Sequence, residues 1–92
     1  MKTIEEYEIE CKDHTATQNF RTQVSDAIRK SVSPDYYFTL LRFDAAVNVY
    51  RSTLIVFIDN EQREDALSSV LLFYARLHGV AVTFIDSKNR GA

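Results

Sequence analysis

From Glu6 to Lys12 the chain alternates without a break: Tyr7, Ile9 and Cys11 fall on one side, Glu6, Glu8, Glu10 and Lys12 on the other. A period of two is that of a half-buried strand. The period then changes. Phe20, Val24, Ala27 and Ile28 recur at helical spacing and form one apolar stripe on a helix over about 16–32. Thr15 or Thr17 is placed to cap its start, and Ser33-Pro34 to end it. From Asp35 to Ile58 the residues are those that pack on pleated surfaces, Tyr, Phe, Val, Ile, Thr and Leu, around a more polar stretch from Arg42 to Asn48. This predicts two strands joined by a hairpin, although Ala45 to Asn48 lacks the usual Asn-Gly or Asp-Gly turn. Asp59 or Asn60 then caps a second helix over about 61–78, striped by Leu67, Val70, Leu71, Tyr74 and Leu77 and stopped by Gly79. The run VAVTFI, 80–85, predicts a last strand.

Strand, helix, strand, strand, helix, strand is the order of the α+β ferredoxin-like plait, a four-stranded antiparallel sheet with two helices on one face. In that arrangement the first and third strands are antiparallel central neighbours, so the end of the third lies beside the start of the first. Two glycines and one proline in 92 residues leave little of the chain to loops. A chain this short supports one core, and the expected domain covers 1–87 with 88–92 as a frayed tail.

Composition narrows the function by exclusion. No window approaches the run of about 18–20 apolar residues that a membrane helix requires. The opening MKTIEEYEIE alternates acid with apolar residues, so no secretory leader is expected and the expected location is cytoplasmic. Cys11, the single cysteine, has no partner for an internal disulfide and reads as an inert buried thiol. His14 and His78 are far apart in sequence, and His78 is accounted for by the helix dipole at a C-terminus. Glycine at 79 and 91 alone leaves no phosphate-cradling loop. VYRSTLIVFI lacks the Lys/Arg-Gly-aromatic pattern of RNA-recognition plaits, and Glu6, Glu8 and Glu10 would repel nucleic acid from the sheet. The expectation is a non-enzymatic protein with no catalytic residue, metal or cofactor, and no direct contact with nucleic acid or membrane.

Net charge is only −2, but it is unevenly distributed. Residues 1–13 and 59–65 each carry −3, residues 14–34 and 66–92 each carry +2, and 35–58 is neutral. The predicted topology brings Glu5, Glu6 and Glu8 to one end of the sheet together with Asp59, Glu61, Glu64 and Asp65. Glu6, Glu8 and Glu10 form a row spaced roughly 6.6 Å apart along the strand. Strands two and three are apolar on both sides: Tyr37, Leu41 and Phe43 oppose Tyr36, Phe38 and Leu40, while Ile55 and Phe57 oppose Leu54, Val56 and Ile58. Only one side can pack on the helices. The other is an expected homodimer surface, through the open sheet face or a sheet edge.

Small size, few glycines, no catalytic group and the acidic stretches EEYEIE and DNEQRED make the chain resemble the anti-restriction nuclease proteins of T-even phages, which are DNA mimics. That resemblance implies a phage-type inhibitor in the host cytoplasm. Its partner would be a host DNA-binding protein or restriction endonuclease, with carboxylates standing in for phosphates. The candidate partner-binding residues are Glu5, Glu6, Glu8, Glu10, Asp59, Glu61, Glu64 and Asp65. Such mimics are usually far more acidic, so the mimicry would occupy one face of a dimer. The competing expectation is a homodimeric ferredoxin-like module that binds a small ligand or serves as an adaptor.

Overall fold

The computed structural model describes residues 2–59 and 62–90. The elements are β1 (Lys2–Cys11), α1 (His14–Ser31), β2 (Tyr36–Asp44), β3 (Val49–Ile58), α2 (Gln62–His78) and β4 (Ala81–Arg90). The sheet has the order β2-β3-β1-β4, antiparallel throughout. Thr3 pairs with Ile58, so the end of β3 does lie beside the start of β1.

The parity of the strands decides what is buried. Ile9 and Cys11 of β1 and Leu54, Val56 and Ile58 of β3 point toward the helices. They meet Phe20, Val24 and Ile28 of α1 and Leu67, Leu71 and Ala75 of α2. Each large apolar side chain removed from water in this way contributes about 1.5–3 kcal/mol before conformational entropy is counted. Tyr36 and Phe38 pack against this core, and Tyr37 turns to the open face beside Phe57, ring centroids 6.3 Å apart.

Several expectations are corrected here. The cap of α1 is Asp13, not Thr15 or Thr17: its Oδ1 accepts from the Ala16 backbone N–H at 2.7 Å. Thr17 is instead buried and donates its hydroxyl to the Asp13 carbonyl. Leu77 leaves the α2 stripe for solvent, and Ala75 takes its place in the core. A bulge between Leu40 and Arg42 shifts the parity of β2. Phe43 therefore lies on the helix side, stacked on Tyr50 at 4.3 Å, and no longer shares a face with Tyr37. β4 runs on to Arg90, paired with Lys2, so 88–90 belong to the sheet and not to a tail. Its polar second half hides this, because backbone pairing with β1 needs no apolar alternation. Residues 91–92 lie outside the described residues, as does Asn60.

The connections use the chemistry that their residues allow. Asp44 Oδ1 accepts from Ala46 N–H at 3.1 Å and Asn48 takes φ 56°, which together build the hairpin turn without Asn-Gly. Gly79 at φ 65° ends α2 as expected. Arg63 Nη1 donates to the Val32 carbonyl at 2.8 Å, joining the first turn of α2 to the chain leaving α1. No helix among the described residues is long and apolar enough to cross a membrane.

Candidate functional site

The face of the sheet away from the helices carries Glu6, Glu8 and Glu10 along β1. Glu6 stands between Ile55 and Asp86, Glu8 between Thr53 and Thr83, and Glu10 between Arg51 and Ala81. Asp86, opposite Glu6, extends the acidic row, and sequence reasoning missed it. Only the register of β4 reveals it, because a bulge between Glu6 and Tyr7 resets the pairing there. Glu10 is committed within the fold: its Oε1 lies 3.1 Å from Arg51 Nε, an ion pair that misses hydrogen-bond geometry. Among residues whose side chains are described, Glu6 and Glu8 have no cationic partner. Tyr37, Ile55 and Phe57 flank the row and Arg51 stands on the same face opposite Glu10, so acidic, apolar and basic groups share one surface.

The seven candidate acids among the described residues do not converge. Glu5 has the parity of Tyr7 and Ile9, so it points under α2 and is only 6% exposed. Its Oε1 accepts from Ser87 Oγ at 3.0 Å. Glu64 and Asp65, from the first turn of α2, line the same small cleft with Tyr7, Ser68 and Phe84. Glu5, Glu64 and Asp65 thus form one cluster on the helix side, and Glu6, Glu8 and Glu10 another on the open side. Asp59 is exposed after the end of β3, and Glu61 lies outside the described residues. The expected single acidic end of the sheet is replaced by two clusters on opposite faces. The reason is the strand period, which sends Glu5 and Glu6 to opposite faces.

Burial pushes the Glu5 carboxyl above its usual range, the Ser87 hydrogen bond opposes this, and the charges of Glu64 and Asp86 add to it. Burial likewise pushes the Tyr7 phenol up to about 12, with Glu5 adding and Ser68 opposing. The Cys11 thiol is also raised by burial, partly relieved by Thr17, which makes it a poor nucleophile. For Glu5 the folded pKa lies above the unfolded one, so the folded state binds the proton more tightly. Its contribution to stability is present below the unfolded value of about 4.5 and is lost as pH rises through the folded value. Glu5→Gln keeps the acceptor for Ser87 and removes the buried charge. It is expected to raise stability at pH 7 by up to about 1 kcal/mol, with the advantage shrinking toward pH 4.5. Urea midpoints at the two pH values check this, and an equal advantage at both would refute the charge explanation.

Between α2 and β4 lies an apolar cleft of about 380 Å³ lined chiefly by Tyr7, Leu71, Leu72, Ala75, Val82 and Phe84. Tyr7 and Phe84 meet edge to face at 5.6 Å inside it. Arg76 stands at the end of this cleft nearer Val80, and the Glu5, Glu64 and Asp65 cluster at the other.

No protein-family model matches the chain, and no curated protein does. Solved structures do. The de novo designed protein Foldit4 superposes with a TM-score of 0.74 at 10% identity, over 99% of this chain and all of that one. A dimeric ferredoxin-like protein from an uncultured marine organism superposes with a TM-score of 0.62 at 9% identity, over 95% of this chain and 92% of that one. The fold is ferredoxin-like. A hydantoinase/carbamoylase family amidase from Burkholderia ambifaria contains a similar unit, with a TM-score of 0.60 and 14% identity, over 98% of this chain but 28% of the amidase. At these identities the ferredoxin-like likeness is one of fold.

Proposed function

We propose that the protein is a non-enzymatic binding module that offers Glu6 and Glu8, with Glu10 and Asp86 beside them, to the cationic groove of a DNA-binding protein, as an inhibitor whose carboxylates take the place of DNA phosphates. The observation that carries this reading is the row itself. Glu6, Glu8 and Glu10 follow one another on an open face roughly 6.6 Å apart, Asp86 lies across from Glu6 on β4, and Glu6 and Glu8 have no cation beside them among the described side chains. Tyr37, Ile55 and Phe57 supply apolar area next to the charges, the mixture that protein interfaces use for anchoring.

The module works as a homodimer in this reading, and the marine ferredoxin-like protein of similar fold is itself dimeric. A dimer formed through the open face would bury Glu6 and Glu8 of both copies, at a cost that unpaired carboxylates do not recover. The dimer contact therefore belongs elsewhere on the molecule, leaving the acidic face to the partner.

The test is capture from bacterial lysate on immobilised protein at low salt, followed by elution with duplex DNA. DNA-binding proteins are expected in the DNA eluate, and to be lost when the salt is raised. Captured proteins that duplex DNA fails to displace would refute phosphate mimicry.

A further inference from the structure

β4 is the terminal strand of the sheet and, among the described residues, pairs only with β1, so its outer edge presents main-chain donors and acceptors to solvent. A long edge with apolar side chains is a template for pairing with another strand. Here Phe84 is 54% exposed and Ile85 46%. Leu72, on the flank of α2 beside that edge, is 54% exposed, and Phe73, further round the helix on its outer side, is 61% exposed. Leu72 lines both the cleft against β4 and a second hollow on the outer side of α2, so the two apolar surfaces are continuous.

The charges of this strip identify its occupant. Glu64 and Asp65 stand at the N-terminal end of α2 and Arg76 at the C-terminal end, with Ser68, Ser69 and Leu72 between them. A two-fold axis through the middle of the helix exchanges its ends. It would set Arg76 of each copy against the Glu64 and Asp65 of the other, and Leu72 against the small Ser69. A patch that complements itself under a two-fold rotation is what an isologous dimer requires.

We infer that β4 pairs antiparallel with β4 of a second copy of this chain, so that the two α2 helices run side by side with Arg76 against Glu64 and Asp65 across the axis. This rests on the homodimer reading above and names its interface. The two sheets become one of eight strands, in the order β2-β3-β1-β4-β4-β1-β3-β2. The apolar strip is covered and the open face stays free. The two acidic rows then lie on the same side of one continuous sheet, three strand steps or about 14 Å apart. The dimer doubles the array that faces the partner.

Light scattering of the full chain over the micromolar range, with the fold of each variant checked by circular dichroism, tests the interface. The wild type is expected at twice the 10.6 kDa chain mass. Leu72→Asp is expected to give a folded monomer. Arg76→Glu brings like charges together at two symmetric places and is expected to weaken the dimer about tenfold, and Arg76→Glu combined with Asp65→Arg to restore most of the loss. Tyr37→Asp, on the open face, is expected to leave the dimer intact. A wild type that stays at 10.6 kDa at every concentration would overturn the homodimer reading and this interface with it. A dimer dissociated by Tyr37→Asp but untouched by Leu72→Asp and Arg76→Glu would overturn the interface alone.

Discussion

Phe20→Ala is expected to remove a large share of the stability of the domain. Phe20 is 0% exposed, on the face of α1 that meets both the sheet and α2, and the His78 ring stands edge-on to it at 6.4 Å. Truncating a buried phenylalanine costs about 3–5 kcal/mol, because the transfer free energy is lost and a cavity remains. A domain of this size has about 5–15 kcal/mol in all. At about 4–8 °C per kcal/mol the melting temperature should fall by at least about 12 °C. Thermal unfolding followed by circular dichroism measures it directly. A fall of only a few degrees would mean that the two helices do not close over Phe20 as described.

The second large effect concerns binding instead of folding. Glu6→Lys with Glu8→Lys turns the two members of the row that have no cationic partner among the described side chains into cations. Glu8 has Thr53 and Thr83 as cross-strand neighbours and Glu6 has Ile55 and Asp86, so neither change opens a cavity or breaks an ion pair among the described side chains. Stability should move by no more than about 0.5 kcal/mol per site, as for ordinary surface substitutions. Affinity for a basic partner should fall by tenfold or more at low salt, since each favourable charge contact becomes a repulsive one, on the order of 1 kcal/mol apiece. Salt must shrink the difference, because the screening length drops from about 10 Å at 0.1 M to about 3 Å at 1 M. Glu10→Lys is the less clean variant, since it also places a cation against Arg51. Binding measured by titration calorimetry at both salt concentrations checks the direction and the screening together.

Much of this architecture was legible in the residues. The unbroken alternation of Tyr7, Ile9 and Cys11 with Glu6, Glu8 and Glu10 assigned the faces of β1 correctly, because a period of two leaves no freedom once one face is apolar. The stripes through Phe20, Val24 and Ile28 and through Leu67 and Leu71 located the helices for the same reason. Less visible was what depends on pairing partners. Nothing in LLRF marks the bulge that moves Phe43 to the helix side, and nothing in DSKNR marks a strand, since β1 supplies the partner that makes it one. Asp13 and Thr15 are both good caps by composition, and only the backbone geometry chose between them.

The candidate site was half legible. Counting charge by segment grouped Glu5 with Glu6, whereas alternation alone already assigns Glu5 to the side of Tyr7. Glu64 and Asp65, in the first turn of α2, join Glu5 on the helix side, where they close one end of the cleft against β4. Asp86 joins the open face through a register that no local pattern specifies. Charge summed along the chain was therefore a weaker guide than charge sorted by face.

Competition between the carboxylate row and DNA for a cationic groove is read by displacement. A DNA-binding protein recovered in the DNA eluate is bound to fluorescently labelled duplex, and the present protein is titrated in while anisotropy is followed at 0.1 M salt. The duplex is expected to be released as the protein is added, Glu6→Lys with Glu8→Lys to release it at tenfold or higher concentration, and the protein alone to leave the anisotropy of free duplex unchanged. Release by the charge-reversed protein at the same concentration as the wild type, or a rise in anisotropy when the wild type is mixed with duplex alone, would contradict phosphate mimicry.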